Sequence, residues 1–443
     1  MPTVNRYLLT SALVAALGGL LFGFDTAVIA GATRALTEQF QLTATLLGIT
    51  VSSALWGTVA GSLLAGWPAD RYGRRACLKA LAVMYVLSAL GCAFAGNWYL
   101  VLAARILGGF AIGASSVIGP MYIAEIAPAA HRGRLVGMFQ FNIVSGILVA
   151  YLSNYLIGLQ GFGAAEWRWK LGIAALPAAG FLAALFAIPE SPRWLARRGR
   201  VSEARDVLAA TGAPDADAEL ATILASLHAE RGRASEPLFQ RKYALPIFLA
   251  ISIGMFNQLS GINAILYYLN DIFEQAGFSR VSSDVQAVAI GATNLLFTII
   301  AMSVIDRLGR KKLLLTGAAG TALCLAGVTA VFATHQHESW LLWLLVAFIG
   351  FFAFSQGAVI WVYLSEVFPN LVRAQGQSLG SFTHWIMNAA ISFWFPILAQ
   401  RSGAIPFAFF AVMTAVQFLV VLTIYPETAG VTLEGMQKKL GID

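Results

Sequence analysis

The sequence predicts an all-α membrane protein: twelve transmembrane helices in two pseudo-symmetric six-helix halves, with a short cytoplasmic helical segment between them. Three observations predict it. Composition is the first: 58% of residues are hydrophobic and only 12% charged, with a mean hydropathy of +0.73, whereas soluble chains carry about 25% charged residues. Apolar stretches of membrane-spanning length recur along all 443 residues, and at about 20 residues each plus short loops the chain holds about twelve. Finally, three charged motifs recur in the same order in both halves of the sequence.

Taken in order, the first apolar stretch, approximately 7–33, is too long for the apolar core of a cleavable signal and runs straight into further spans. Spans at approximately 44–67, 76–96, 98–123, 135–159 and 169–189 follow. They are rich in small residues, as at Gly57, Gly61 and Gly66 or Gly108, Gly109 and Gly113, which lets helix backbones approach closely. Next comes the one long polar stretch, 190–242, with near-balanced charge and helix-like runs at 201–210 and 216–230. It is expected to form short cytoplasmic helices under the bundle, held by ion pairs rather than by lipid. Six more spans fall at approximately 244–271, 284–305, 312–333, 340–364, 374–399 and 404–425. The expected division is therefore 1–189, 190–242, 243–425 and a cytoplasmic tail, 426–443.

The chain has 29 Lys and Arg against 22 Asp and Glu, a net charge of +7. A basic balance can signal a nucleic-acid partner, but here most basic residues gather on the loops of one side, the positive-inside pattern. The expectation is a multi-pass protein of the cell inner membrane with both termini cytoplasmic, a lipid-bilayer partner and no nucleic acid. Nothing suggests a symmetric interface, so a monomer is expected. Cys77, Cys92 and Cys324 are scattered through apolar segments, which argues against a disulfide framework or a zinc site. No metal or cofactor is expected. The chain contains no H-E-x-x-H helix, no G-x-S-x-G turn and no paired carboxylates in a span, so it does not read as an enzyme. It also lacks a G-x-x-x-x-G-K-[ST] loop, so ATP is not the expected energy source.

The repeat is legible residue by residue. Asp70-Arg-Tyr-Gly-Arg-Arg75 recurs as Asp306-Arg-Leu-Gly-Arg-Lys311, Glu125-x-x-Pro128-x-x-x-Arg132 as Glu366-x-x-Pro369-x-x-x-Arg373, and Pro189-Glu-Ser191 as Pro426-Glu-Thr428. All fall on the cytoplasmic side. Asp70, Arg71, Arg74, Glu125, Arg132 and Glu190, with Asp306, Arg307, Arg310, Glu366, Arg373 and Glu427, are expected to form a latch of opposed charges across helix ends. Parallel halves of this kind place a substrate site between them near mid-bilayer.

Within the seventh span, Asn257-Gln-Leu-Ser-Gly-Ile-Asn-Ala-Ile-Leu-Tyr-Tyr268 puts three amides and two tyrosines where hydrocarbon offers no water. Gly261 lies among them, where a helix can loosen. Donors, acceptors and flat apolar faces together suit a neutral polyhydroxylated ligand such as a sugar. Polar glue between helices is the other reading of any single amide. Asp25 lies mid-way along span one and Arg105 well inside span four, the only Asp, Glu, Lys or Arg placed deep in the bundle. A lone charge there costs about 2.5–3.5 kcal/mol on insertion scales, and pairing offsets part of it. If Arg105 moves away, the carboxyl takes a proton, the logic of a proton-coupled carrier. A static ion pair is the alternative.

These motifs resemble the sugar porter branch of the major facilitator superfamily, and the likeness runs from the first span to the C-terminus. It rests on Gly23-Phe-Asp-Thr-Ala-Val-Ile29, the Asp70 and Asp306 loops, Pro120-Met-Tyr-Ile-Ala-Glu125 and Pro189-Glu-Ser-Pro-Arg193. It continues through Gln258-Leu-Ser-Gly-Ile-Asn263, Trp361 with Ser365-Glu-Val-Phe-Pro-Asn370, and Pro426-Glu-Thr-Ala-Gly430. The resemblance implies proton-coupled symport of a monosaccharide, pentose or hexose, by alternating access. It implies sugar contacts from Gln140, Gln258, Asn263, Asn294 and Trp361, wall residues Trp385 and Asn388, and an extracellular gate of Tyr267 and Tyr268. Asp25 is similar to bacterial xylose–proton symporters, whereas mammalian glucose facilitators carry Asn there.

The chain departs from the family pattern in three places. Asn257 replaces a first glutamine, shortening the reach, and His384 stands where relatives show Asn or Gln; both bear on the sugar contacts. His384 reads either as a neutral donor to sugar or as a second titrating group. Gly357-Ala358 lacks the proline often found before the tenth-span tryptophan, which leaves that span without its usual cause of bending. An uncoupled sugar or polyol carrier keeps the same fold, and a non-transporting sugar sensor would need an output domain larger than 190–242.

Overall fold

The structure is a computed structural model that describes residues 5–128, 131–231, 236–369, 371–431 and 433–442, without the side chains of 229–231, 306, 433 and 434. Among the described residues every regular element is a helix. Among the described residues, ten helical stretches are long and apolar enough to cross a membrane: Arg6–Gly31, Ala44–Leu64, Arg74–Ala93, Trp98–Ile126, Arg132–Gly158, Arg241–Tyr267, Arg280–Ile305, Arg310–Thr334, Glu338–Glu366 and Ala404–Thr423.

The other two expected spans are also helical, and each falls short of that criterion for a visible reason. The sixth is two short pieces, Glu166–Gly172 and Ala175–Ala184. The eleventh is one unbroken helix of 29 residues, Arg373–Arg401, whose buried His384, Asn388 and Ser392 lower its hydropathy. With these two, the all-α, twelve-helix reading holds.

The polar stretch folds as Pro192–Arg197, Val201–Ala210 and Ala216–Arg231. It has a small core of its own, with Leu195, Ala204, Leu208 and Leu220 buried. Arg205 pairs with Asp217 at 2.6 Å and Arg200 with Glu203 at 2.6 Å.

The chain groups into two compact units. One comprises Met1–Asp25, Trp56–Ala150 and Arg168–Ala234; the other comprises Thr26–Leu55, Tyr151–Trp167 and Ser235–Asp443. The first packs around Leu78, Tyr122, Phe139 and Phe181, the second around Tyr243, Tyr363 and Tyr425. Large apolar side chains such as Leu63, Leu64, Leu323 and Val412 stay more than half exposed. Hydrocarbon solvates these side chains at no cost, so the packing inside each unit relies on close approach of small residues. Gly23 shows how close: a Cβ there would lie 1.8 Å from the carbonyl oxygen of Ile143.

Two further spans are interrupted. The seventh breaks into Ala244–Leu259 and Ile262–Tyr267, and the short helix Leu269–Gln275 follows its end. Gly261 takes φ +82, and a Cβ there would lie 2.2 Å from the ring of Phe410, so conformation and space both require glycine. The tenth breaks between Leu341–Phe354 and Gln356–Glu366 at Ser355, φ −122 and ψ −88. This corrects the expectation drawn from the missing proline. Gly317 on the ninth span comes so close that a Cβ would lie 1.6 Å from Ser355 Oγ, and that hydroxyl donates to Phe351 O at 2.6 Å. Packing and a serine back-bond bend the span in place of a proline ring.

Candidate functional site

The break at Gly261 turns the polar side chains of the seventh span toward one another. Asn263 Nδ2 donates to Gln258 Oε1 at 3.1 Å, and Gln258 Nε2 donates to Asn257 Oδ1 at 3.2 Å. The same Nε2 lies 3.2 Å from His384 Nε2, and Asn257 Nδ2 donates to the backbone carbonyl of Gln356 at 3.4 Å. The His384 ring packs between Trp361, centroids 5.2 Å apart, and Trp385, 5.1 Å and nearly perpendicular.

One turn on, Asn388 Nδ2 donates to the Tyr267 hydroxyl at 3.2 Å, and Ser392 Oγ donates to Asn388 Oδ1 at 3.3 Å. Tyr268 donates to Ser392 O at 2.9 Å and stacks on Phe395 at 5.1 Å. The seventh and eleventh spans thus hold a continuous run of amides, hydroxyls and aromatic rings. Trp385 is nearly buried, whereas Trp361 keeps 38% of its surface exposed. Flat apolar rings beside neutral donors and acceptors match a molecule with a hydroxylated edge and an apolar face.

Two expected contact residues stand apart from this network. Asn294 is buried on the eighth span, and among the described residues makes no bond to the group. Gln140 is half-buried on the fifth span, in the first unit.

Asp25 and Arg105 meet. Arg105 Nη1 donates to Asp25 Oδ1 at 2.6 Å, with the arginine side chain 4% exposed and the carboxylate 21%. Arg105 Nε is buried without a partner among the described residues, so this single contact holds the guanidinium, not the two-pronged geometry it can offer. Lys170, Glu166 and Asp284 are also buried, near the ends of their spans.

The repeated motifs fold into two matching charge clusters. In the first unit, Arg74 Nε and Nη2 bind Glu125 at 2.9 Å each, and Nη1 reaches Asp70 at 3.1 Å. Glu190 accepts from the backbone N–H of Arg74 and Arg75 at 2.9 and 3.1 Å. In the second unit, Arg310 Nη2 binds Glu366 at 2.8 Å, and Glu427 accepts from the N–H of Arg310 and Lys311 at 2.8 and 3.1 Å.

Ser191 and Thr428 fill the same role, donating to Glu125 and Glu366 at 2.5 and 2.6 Å. Gly73, φ +98, and Gly309, φ +85, occupy the turns where a Cβ would strike Glu190 and Glu427 respectively. Burial alone would raise the Glu427 carboxyl, but the N–H groups of Ala429, Arg310, Lys311 and Thr428 hold it below the usual carboxylate range.

Arg71, Arg132 and Arg373 do not join these clusters. Arg71 lies over Trp67 and Tyr72, while Arg132 and Arg373 donate to the backbone at Ala124 and Phe368. Arg307 is exposed, and the Asp306 side chain lies outside the described residues.

At the other ends of the spans the second unit carries a group that sequence reasoning missed. Arg34 binds Glu274 at 2.7 Å and Glu38 at 2.9 Å. Tyr151 donates to Leu266 O at 2.8 Å, and Asn154 to Val28 O at 3.1 Å. Beside them sits Asp271, whose Oδ2 is buried and has no hydrogen-bond partner among the described residues. A carboxylate at the edge of an apolar run was the available signal. The three cysteines are free and buried, and among the described residues no His, Cys, Asp and Glu cluster suits a metal.

The model of the family described as "Sugar (and other) transporter" matches residues 11–440. The chain is 38% identical to the probable metabolite transport protein CsbC of Bacillus subtilis, over 96% of this chain and 93% of that one. It is 35% identical to the arabinose-proton symporter of Bacillus subtilis, again over 96% and 93%. Its structure is similar to a partially occluded inward-open conformation of the xylose transporter XylE from E. coli, with a TM-score of 0.86 and 33% identity, covering 97% of this chain and all of that one.

Proposed function

The chain belongs to the sugar transporter family, and on that premise we propose that it carries a monosaccharide, pentose or hexose, across the cell inner membrane together with a proton. The observation that carries the coupling is the single-pronged contact between Asp25 and a buried Arg105. A neighbouring guanidinium favours the ionised form of a carboxylate, and a carboxylate left in a low-dielectric site without one favours its protonated form. Relatives of this chain named as proton symporters support that reading.

In this cycle Asn257, Gln258, Asn263, Asn388 and His384 bond the hydroxyls, with Gln140 and Asn294 closing in from their own spans. Trp361 and Trp385 cover the apolar face of the ring. Tyr267 and Tyr268 gate the extracellular side. The halves 1–189 and 243–425 rock about the site, as parallel repeats do. The clusters built on Arg74 and Arg310 lock helix ends on the cytoplasmic side, where both termini lie, and the protein works as a monomer.

Uptake of radiolabelled monosaccharide into inside-acid and pH-neutral proteoliposomes tests this reading. Accumulation above equilibrium that a protonophore abolishes is expected. Equilibration at the same rate with or without the gradient would leave an uncoupled carrier, and no uptake at all would leave a sensor.

A further inference from the structure

Gln356 opens the second piece of the broken tenth span, and nothing above assigns it a role. It is 1% exposed. Its backbone carbonyl accepts from Asn257 Nδ2 at 3.4 Å, so it lies against the amide cluster of the seventh span. Its side chain differs from every other amide in that cluster. Asn257, Gln258, Asn263 and Asn388 all have bonded partners, whereas both Gln356 Oε1 and Nε2 are buried with none among the described residues.

A buried amide left unpaired costs the desolvation of both its polar atoms. A leucine or methionine would fill the same volume without that cost. Folding alone therefore gives no reason for glutamine here, whereas a ligand that supplies an acceptor and a donor together gives one. The break at Ser355 strengthens the point: it starts a new helix at Gln356, placing this side chain at the point where the backbone of the tenth span meets Asn257.

We propose that Gln356 is a specificity residue for the cargo, its Nε2 donating to one hydroxyl of the bound monosaccharide and its Oε1 accepting from a neighbouring one. The inference rests on the monosaccharide reading above and adds a selected feature: a vicinal hydroxyl pair on the edge facing the tenth span. A site built to bond a hydroxyl rejects the analogue that lacks it far more strongly than an apolar pocket rejects an extra one.

The test is a binding titration by tryptophan fluorescence on the purified full-length protein, using D-xylose, D-glucose and the monodeoxy-D-glucose series. Wild type is compared with Gln356→Met and Gln356→Leu. Both variants are expected to weaken binding of the parent sugar about ten-fold, one to two neutral hydrogen bonds. They should bind the deoxy analogue lacking a Gln356-bonded hydroxyl as wild type does. Their sugar-free melting temperatures should equal or exceed that of wild type, because an unsatisfied amide has been removed.

Equal affinity of wild type and both variants for every sugar would overturn the proposal and leave the transport reading intact. So would a uniform loss across the deoxy series with a lowered melting temperature, the mark of a structural role. Wild type binding no monosaccharide would instead sink the cargo reading itself.

Discussion

At the scale of single residues, Asp25 is the side chain whose chemistry is most exposed to test. A proton entering down a 100 mV potential supplies about 2.3 kcal/mol, enough for an accumulation ratio of about 50. Asp25→Asn keeps the size and the hydrogen bond to Arg105 but removes the titrating group. It should reduce the steady-state accumulation ratio in energised vesicles to about one, the equilibrium limit, while sugar counterflow persists. Loss of both would mean that the pair is structural.

The pair itself was legible in the sequence, since a charge in an apolar run is costly enough to stand out. Gln356 carried a similar signal, a polar residue between Ser355 and Gly357 in an apolar span. It escaped notice because a lone amide also reads as helix-to-helix glue, and only the absence of a partner separates the two cases.

At the scale of elements, the short helix Leu269–Gln275, beyond the end of the seventh span, holds a group that senses pH. Burial pushes the Asp271 carboxyl up to about 7, with Glu274 adding to it; a hydrogen bond from Thr33 and the charge of Arg34 oppose the rise. Glu38 also pairs with Arg34 at this contact, and Asp284 bonds the neighbouring Asn270. A carboxyl raised in the packed arrangement binds its proton more tightly there than in an opened one. The packing is therefore favoured at acid pH and loses stability as pH climbs from the ordinary carboxylate range to about 7.

Hydrogen–deuterium exchange over residues 29–40 and 266–275, corrected for intrinsic rates, should slow between pH 7.5 and pH 5.5. Asp271→Asn should abolish the difference. A pH response unchanged in that variant would assign the effect to another group. Sequence reading extended the seventh span through 271 because the run stays apolar. Tertiary packing ended it earlier, where Tyr268 stacks on Phe395 and bonds Ser392.

At the scale of the whole molecule, the repeat makes a quantitative demand: equivalent residues should cost similar amounts when removed. Arg74→Met leaves Glu125, 10% exposed, as an uncompensated buried charge, the situation that costs about 3–5 kcal/mol. Arg310→Met should act in the same direction but less, because Glu366 keeps 25% of its side chain exposed. Thermal unfolding of the two variants checks both the sign and the order. A neutral effect at either position would show that the cluster contributes nothing to holding those helix ends.

The sequence by itself determined the all-helical membrane architecture and carried the repeated charged motifs. These follow from transfer free energies and charge counts that each stretch carries on its own, so local composition is enough to read them. It also marked Asn257, Gln258, Asn263 and Asp25, because polarity inside an apolar run is itself local. Only the tertiary structure decided which of those groups meet. It broke the tenth span with no proline, set His384 against Gln258 and left Gln356 without a side-chain partner among the described residues. Each of those outcomes depends on side chains brought together from spans far apart in the chain, and no window along the sequence contains both partners.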